Sequence, residues 1–264
     1  MISVPQRLGL IIALLMACII TVSAQAQSSR GKPRVPPGMD PGGIAVAVIG
    51  AGVDYTASEI ASRLARDGEG AIIGWDFVDN DANPYADCRS LPPSADCPSH
   101  YVDVLLSHAP TVRLVPLRIS TTAPATMVGA VLFAQKSPGR IALVIAPSSD
   151  IREFLLQAAQ RVPTLLFVGI TPSTAPAVPP SDLPDNLIII SDPRPHVVGE
   201  PIARIAARHA GAAADLLALA PELKPSDVKK RLAEQPELVR ERIREIPPHP
   251  RSGGILEKHV PRPK

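Results

Sequence analysis

Aromatic residues are scarce: Phe, Trp and Tyr make up 3% of the 264 residues. That argues against a stacking platform for nucleobases and against a carbohydrate cleft. Charge of one sign is lacking too. Lys and Arg number 27 against 25 Asp and Glu, a formal net charge of +2. So small an excess provides no electrostatic footprint for nucleic acid or an anionic membrane surface. Cysteine occurs three times, as Cys18, Cys88 and Cys97, without the paired spacing of a zinc site. His196, His209, His249 and His259 are scattered, with no metal spacing either. No metal and no cofactor is therefore expected. The one long apolar run, residues 8–22, is short for a membrane span.

That run is informative in another way. Arg7 precedes it and Ala24-Gln25-Ala26 follows it, the pattern of a cleaved signal peptide over residues 1–26. The mature chain is expected to be exported, periplasmic or secreted. Leu15-Met16-Ala17-Cys18 offers a lipid anchor at Cys18 as an alternative, although the apolar run continues past that cysteine. Export would leave Cys88 and Cys97 in an oxidising compartment, where a disulfide between them is plausible. It would close a loop of about ten residues and add roughly 2–3 kcal/mol. Two free thiols are the alternative. Proline is frequent at 31 residues, which implies long irregular connections. Residues 27–43 read as a disordered lead-in.

From residue 44 onward, apolar strands alternate with helices. Strands are expected at 44–49, 71–77, 112–119, 141–146, 164–170 and 187–190. Helices are expected at 56–67, 101–107, 125–135, 151–161, 202–220 and 225–232, the last with Ser226 as N-cap. Strands apolar throughout belong to a parallel sheet covered on both faces. The prediction is an α/β three-layer domain over residues 44–235. A helical extension and a basic, proline-rich, disordered tail would occupy 236–264.

Residues 46–60, VAVIGAGVDYTASEI, form a strand, a glycine turn and a helix start. The run is similar to the first motif of the subtilisin-like serine peptidases, in which such a strand ends on the catalytic aspartate. Residues 74–81, GWDFVDND, resemble the segment that precedes the family's histidine motif. Residues 109–118, APTVRLVPLR, resemble its next strand, and residues 217–232 its closing helix pair. These matches span about four-fifths of the mature chain. The resemblance implies a three-layer subtilisin-like fold, shortened between the oxyanion strand and the serine helix.

The same matches indicate where the catalytic residues would fall. The aspartate position is Gly50, which has no side chain to orient a histidine ring. The histidine position is Cys97, and His100 falls on a noncatalytic place in the motif. The oxyanion asparagine position is Ser173, whose shorter hydroxyl is a doubtful substitute. The nucleophile position is Ala203, and no Ser or Thr lies between residues 192 and 215 to replace it. Losing any one of these groups cripples triad chemistry. The resemblance therefore implies a catalytically inactive homologue that holds a peptide or protein partner in the remnant cleft. Such clefts bind extended peptides by adding a strand, which needs backbone rather than a triad.

Two rivals stand beside that expectation. One is a hydrolase of residual or rewired chemistry, with Cys97 as thiol nucleophile near His100 and His108. The other is a decayed relative with no molecular role. Asp76, Asp79 and Asp81 could gather calcium, but a turn with solvated carboxylates is the expected reading. Asp54 is read as a helix cap, and the charged run 240–245 as a solvated helix face.

Overall fold

The computed structural model describes residues 31–87, 98–146, 150–171, 182–191 and 201–240. Six parallel strands form one sheet: β1 Ala45–Gly50, β2 Trp75–Asp76, β3 Arg113–Arg118, β4 Gly139–Val144, β5 Leu166–Thr171 and β6 Leu187–Ser191. Their spatial order is β2-β3-β1-β4-β5-β6. The helices are α1 Ser58–Ala61, α2 Pro98–His108, α3 Pro124–Lys136, α4 Ile151–Arg161, α5 Ile202–Leu219, α6 Pro225–Glu234 and α7 Glu237–Arg240. The expected α/β architecture, a parallel sheet between helices, is the observed one.

Strand alternation divides the core into two halves. Val46 and Val48 face one side with Tyr101, Leu105, Ala206 and Ala210 of α2 and α5. Ala45, Ala47 and Ile49 face the other, with Met127, Val131, Ile151 and Leu155 of α3 and α4. Every residue of β1 and β5 is buried, which is why both runs are apolar apart from Thr171 at the end of β5. Each fully buried aliphatic side chain contributes roughly 1.5–3 kcal/mol. Helix α5 is alanine-rich because it lies close to α2. A Cβ at Gly211 would stand 2.5 Å from the Cβ of His108, so only glycine permits that approach. Among the described residues no helix is long and apolar enough to cross a membrane.

Four local expectations are corrected. The helix expected over 56–67 is confined to α1, because the chain turns to run beside β3: Leu114 N donates to Arg63 O, and Ala65 N to Leu114 O. The strand expected over 71–77 shrinks to β2. Even-numbered residues of β3 present their backbone to the β2 side, as Leu114 and Arg118 show. Pro116 has no N–H to offer there, so ladder pairing begins only at Trp75 opposite Leu117. Helix α6 is capped from Lys224, whose N–H donates to Asp227 Oδ2 at 3.3 Å, and not by Ser226. Finally, residues 31–43 of the lead-in, the part described, are held by bonds from the rest of the chain. Tyr55 Oη donates to Pro33 O at 3.0 Å, Arg66 donates to Pro36 O at 2.7 Å, and Asp40 pairs with Arg113. Side chains far along the chain satisfy its carbonyls, so polar composition did not mean disorder. At the other end, buried Val239 joins the core, and the chain stays on the domain through α7.

Candidate functional site

Open α/β sheets bind ligands beyond the carboxyl ends of their strands, where neighbouring connections leave on opposite faces. Here β1 hands over to α1, whose Ile60 packs on the α2–α5 side. Its neighbours β3 and β4 hand over to α3 and α4 on the other side. The crevice at the end of β1 is therefore the switch point, and Gly50 is its last residue.

The space beside Gly50 is closed. A Cβ there would lie 2.9 Å from Ile145 O and 3.1 Å from Tyr101 Oη. Tyr101 comes from the first turns of α2 and is 2% exposed. Gly50 O accepts from Ile119 N at 2.8 Å, which keeps the strand end in the ladder. Ala203, 1% exposed in the first turn of α5, is part of the same core half as Tyr101. Neither Gly50 nor Ala203 carries a side-chain group that could move a proton. His100 is exposed on α2, so of the adjacent pair it is Tyr101 that reaches Gly50. Sequence reasoning passed over Tyr101. No signal in the sequence links Tyr101 to Gly50. Cys18, Cys88, Cys97 and Ser173 lie outside the described residues, as do His196, His249, His259 and residues 241–245.

Beside this neutral strand end stands a charged one. Asp76, at the end of β2, is fully buried. Its Oδ1 accepts from Val78 N at 2.8 Å and Asp79 N at 3.0 Å. Its Oδ2 lies 2.6 Å from Lys32 Nζ and 2.7 Å from Arg118 Nη1. Lys32 Nζ also lies 2.8 Å from Asp79 and 3.2 Å from Asp81, and Arg118 Nη1 lies 2.7 Å from Asp79. The Lys32 hydrogen bond is the leading cause that holds the Asp79 carboxyl below its ordinary range, reinforced by Arg118. For Lys32 and Arg118, burial works against the charge. Hydrogen bonds and attraction from the aspartates outweigh it, and both are raised. The solvated turn expected here is thus an ion cluster. An ammonium from 44 residues upstream occupies the space between the carboxylates. Among the described residues no cluster of His, Cys, Asp and Glu has the arrangement of a metal site.

Asp54 is not the helix cap either. Its Oδ1 accepts from Thr56 N at 3.0 Å and from the Thr56 hydroxyl, which closes a turn before α1. The cap position is Ala57, with no side-chain bond. His209 is turned inward, its Nδ1 2.8 Å from Ile205 O, and burial lowers its pKa. His108 is buried where α2 meets α5.

No family model and no curated protein matches the chain. Among solved structures, the chain is similar to a cold adapted subtilisin-like serine proteinase. Sequence identity is 17%, coverage is 79% of this chain and 90% of that one, and the TM-score is 0.42.

Proposed function

We propose that the protein is an exported, catalytically inactive homologue of subtilisin-like peptidases that binds an extended peptide or protein segment. The observation that carries this reading is Gly50. The strand that in the resembling family ends on the catalytic aspartate ends here on a glycine. The room for any larger side chain is taken by Tyr101 Oη and Ile145 O. The methyl group of Ala203, at the position that the resemblance assigns to the serine, supports the same reading.

Binding without chemistry uses backbone pairing, in which an extended segment adds a strand to an open sheet edge. Strand β6 is an edge of the sheet among the described residues. Its Ile188, Ile189 and Ile190 are half-buried, and it carries none of the charges or prolines that usually guard an edge. Export rests on residues 1–26, and its check is N-terminal sequencing of the protein recovered from outside the cytoplasm.

The test of binding is a random-peptide library selected against the mature protein. The reading predicts peptides of extended, aliphatic character whose affinity collapses when alternate backbone amides are N-methylated. Selection of no sequence above background, or binding indifferent to N-methylation, removes the strand-addition role.

A further inference from the structure

Residues 31–41 lie as a strap along the sheet, from the carboxyl ends of β2 and β3 back to the start of β3. At the far end Lys32 sits on Asp76, Asp79 and Asp81. In the middle Pro33 and Pro36 accept from Tyr55 and Arg66. At the near end Asp40 holds Arg113. The strap's inward side chain Val35 packs on the core. Around residues 36–41 an open cleft of about 670 Å³ separates the strap from α1, and Met39 is 89% exposed. The strap is therefore attached by polar clasps and by Val35, with open space beside residues 36–41. Between it and β1 stand two consecutive glycines at positive φ, Gly42 at 70° and Gly43 at 85°. A Cβ at Gly43 would lie 1.9 Å from Thr111 O, whereas one at Gly42 would meet nothing. Gly43 is the fixed side of a joint and Gly42 its free side.

We propose that residues 31–41 are a hinged strap that opens locally at Gly42, with the Lys32 ammonium as its latch, and that opening uncovers Tyr55. Lys32 is 12% exposed, in the range where a lost ion pair is felt. Its charged neighbours are Asp76 on β2, Asp79 and Asp81 on the following turn, and Arg118 at the end of β3. When the strap leaves, Arg118 still pairs with Asp76 and Asp79, and the two backbone N–H groups still meet Asp76. Tyr55 is fully buried, its ring 5.2 Å from that of Tyr85. Burial is the leading cause that holds its phenol well above the ordinary value of 10.0. Release of the Pro33 clasp frees the phenol for reaction. Local openings of this kind cost less than global unfolding and report on a subset of groups.

The test compares the mature wild-type protein with Lys32→Met, which keeps the aliphatic stem and removes the charge, and with Lys32→Arg. Two readouts are followed by mass spectrometry: tryptic cleavage between Arg34 and Val35, and O-acetylation of Tyr55 by N-acetylimidazole. Tyr101, buried on α2 against the end of β1, is the internal control. Lys32→Met is expected to raise both rates at least about tenfold, the population change that about 1.4 kcal/mol makes. Tyr101 should stay protected, and Lys32→Arg should return near wild type. Asp79→Asn, which leaves Asp76 and Asp81 on Lys32, is the milder second variant and should move both rates in the same direction by less. Unchanged rates in both variants overturn the latch. Acetylation of Tyr101 rising in parallel with Tyr55 overturns local opening in favour of global unfolding.

Discussion

Gly50 ends β1 and Arg118 ends β3, and the two are partners across the sheet. Their surroundings differ completely. At Gly50 the charge a side chain could bring is absent, and the space is sealed by a carbonyl and a phenol. One strand further out, Arg118, Asp76, Asp79, Asp81 and Lys32 are gathered within hydrogen-bond reach. The buried carboxylate of Asp76 is tolerable because two cations and two backbone N–H groups meet it. Gly50 has no such company. The difference shows that a strand end in this fold keeps a charged group only where the surrounding chain completes its partners.

The comparison is broken most severely by Gly50→Asp. The new carboxylate would be forced against Ile145 O and Tyr101 Oη with no cation supplied. Urea denaturation should show a loss of about 3–5 kcal/mol, the scale of an uncompensated buried charge, and no peptidase turnover should appear. A variant as stable as wild type would mean that the crevice is open. Next in size is Asp76→Asn. It leaves Lys32 and Arg118 leaning on Asp79 and Asp81, so about 2–3 kcal/mol should be lost in the same assay.

The pH dependence separates the two strand ends without mutation. Asp79 has a lowered pKa, first through the Lys32 hydrogen bond. Its contribution is present above its ordinary 3.8 and is lost as pH falls through the lowered value. Lys32 is raised, its burial outweighed by the aspartates. Its contribution is present below 10.5 and is lost as pH rises through the raised value. These two groups should therefore make the unfolding midpoint fall at both ends of the range, and His209, lowered by burial, should add a decline as pH falls below 6.5. Asp79→Asn should flatten the acid limb. The smallest effect is expected of Tyr101→Phe, about 1 kcal/mol for one hydroxyl. Combined with Gly50→Asp it should recover part of the loss, since the two sites touch.

Much of the scaffold was legible because the signals are local. Helix α4 falls on residues 151–161 as expected, with Leu155 and Ala158 inward at helical spacing. The runs 45–49, 141–146 and 165–170 are apolar because both faces of the sheet are covered. What escaped depends on partners distant in sequence. Nothing near the DND turn announces Lys32, and nothing near Gly50 announces Tyr101. Polar, proline-rich residues 31–43 read as disordered because Tyr55, Arg66 and Arg113, which hold them, lie far downstream. The shortening of β2 traces to one missing N–H, at Pro116, on the neighbouring strand.

The most direct measurement on the central claim is reaction of the purified protein with a fluorophosphonate serine probe, with casein turnover followed alongside. The account predicts no labelled serine and no turnover. Labelling of a single serine, with casein cleavage abolished by the same probe, would contradict it and make the protein a working hydrolase.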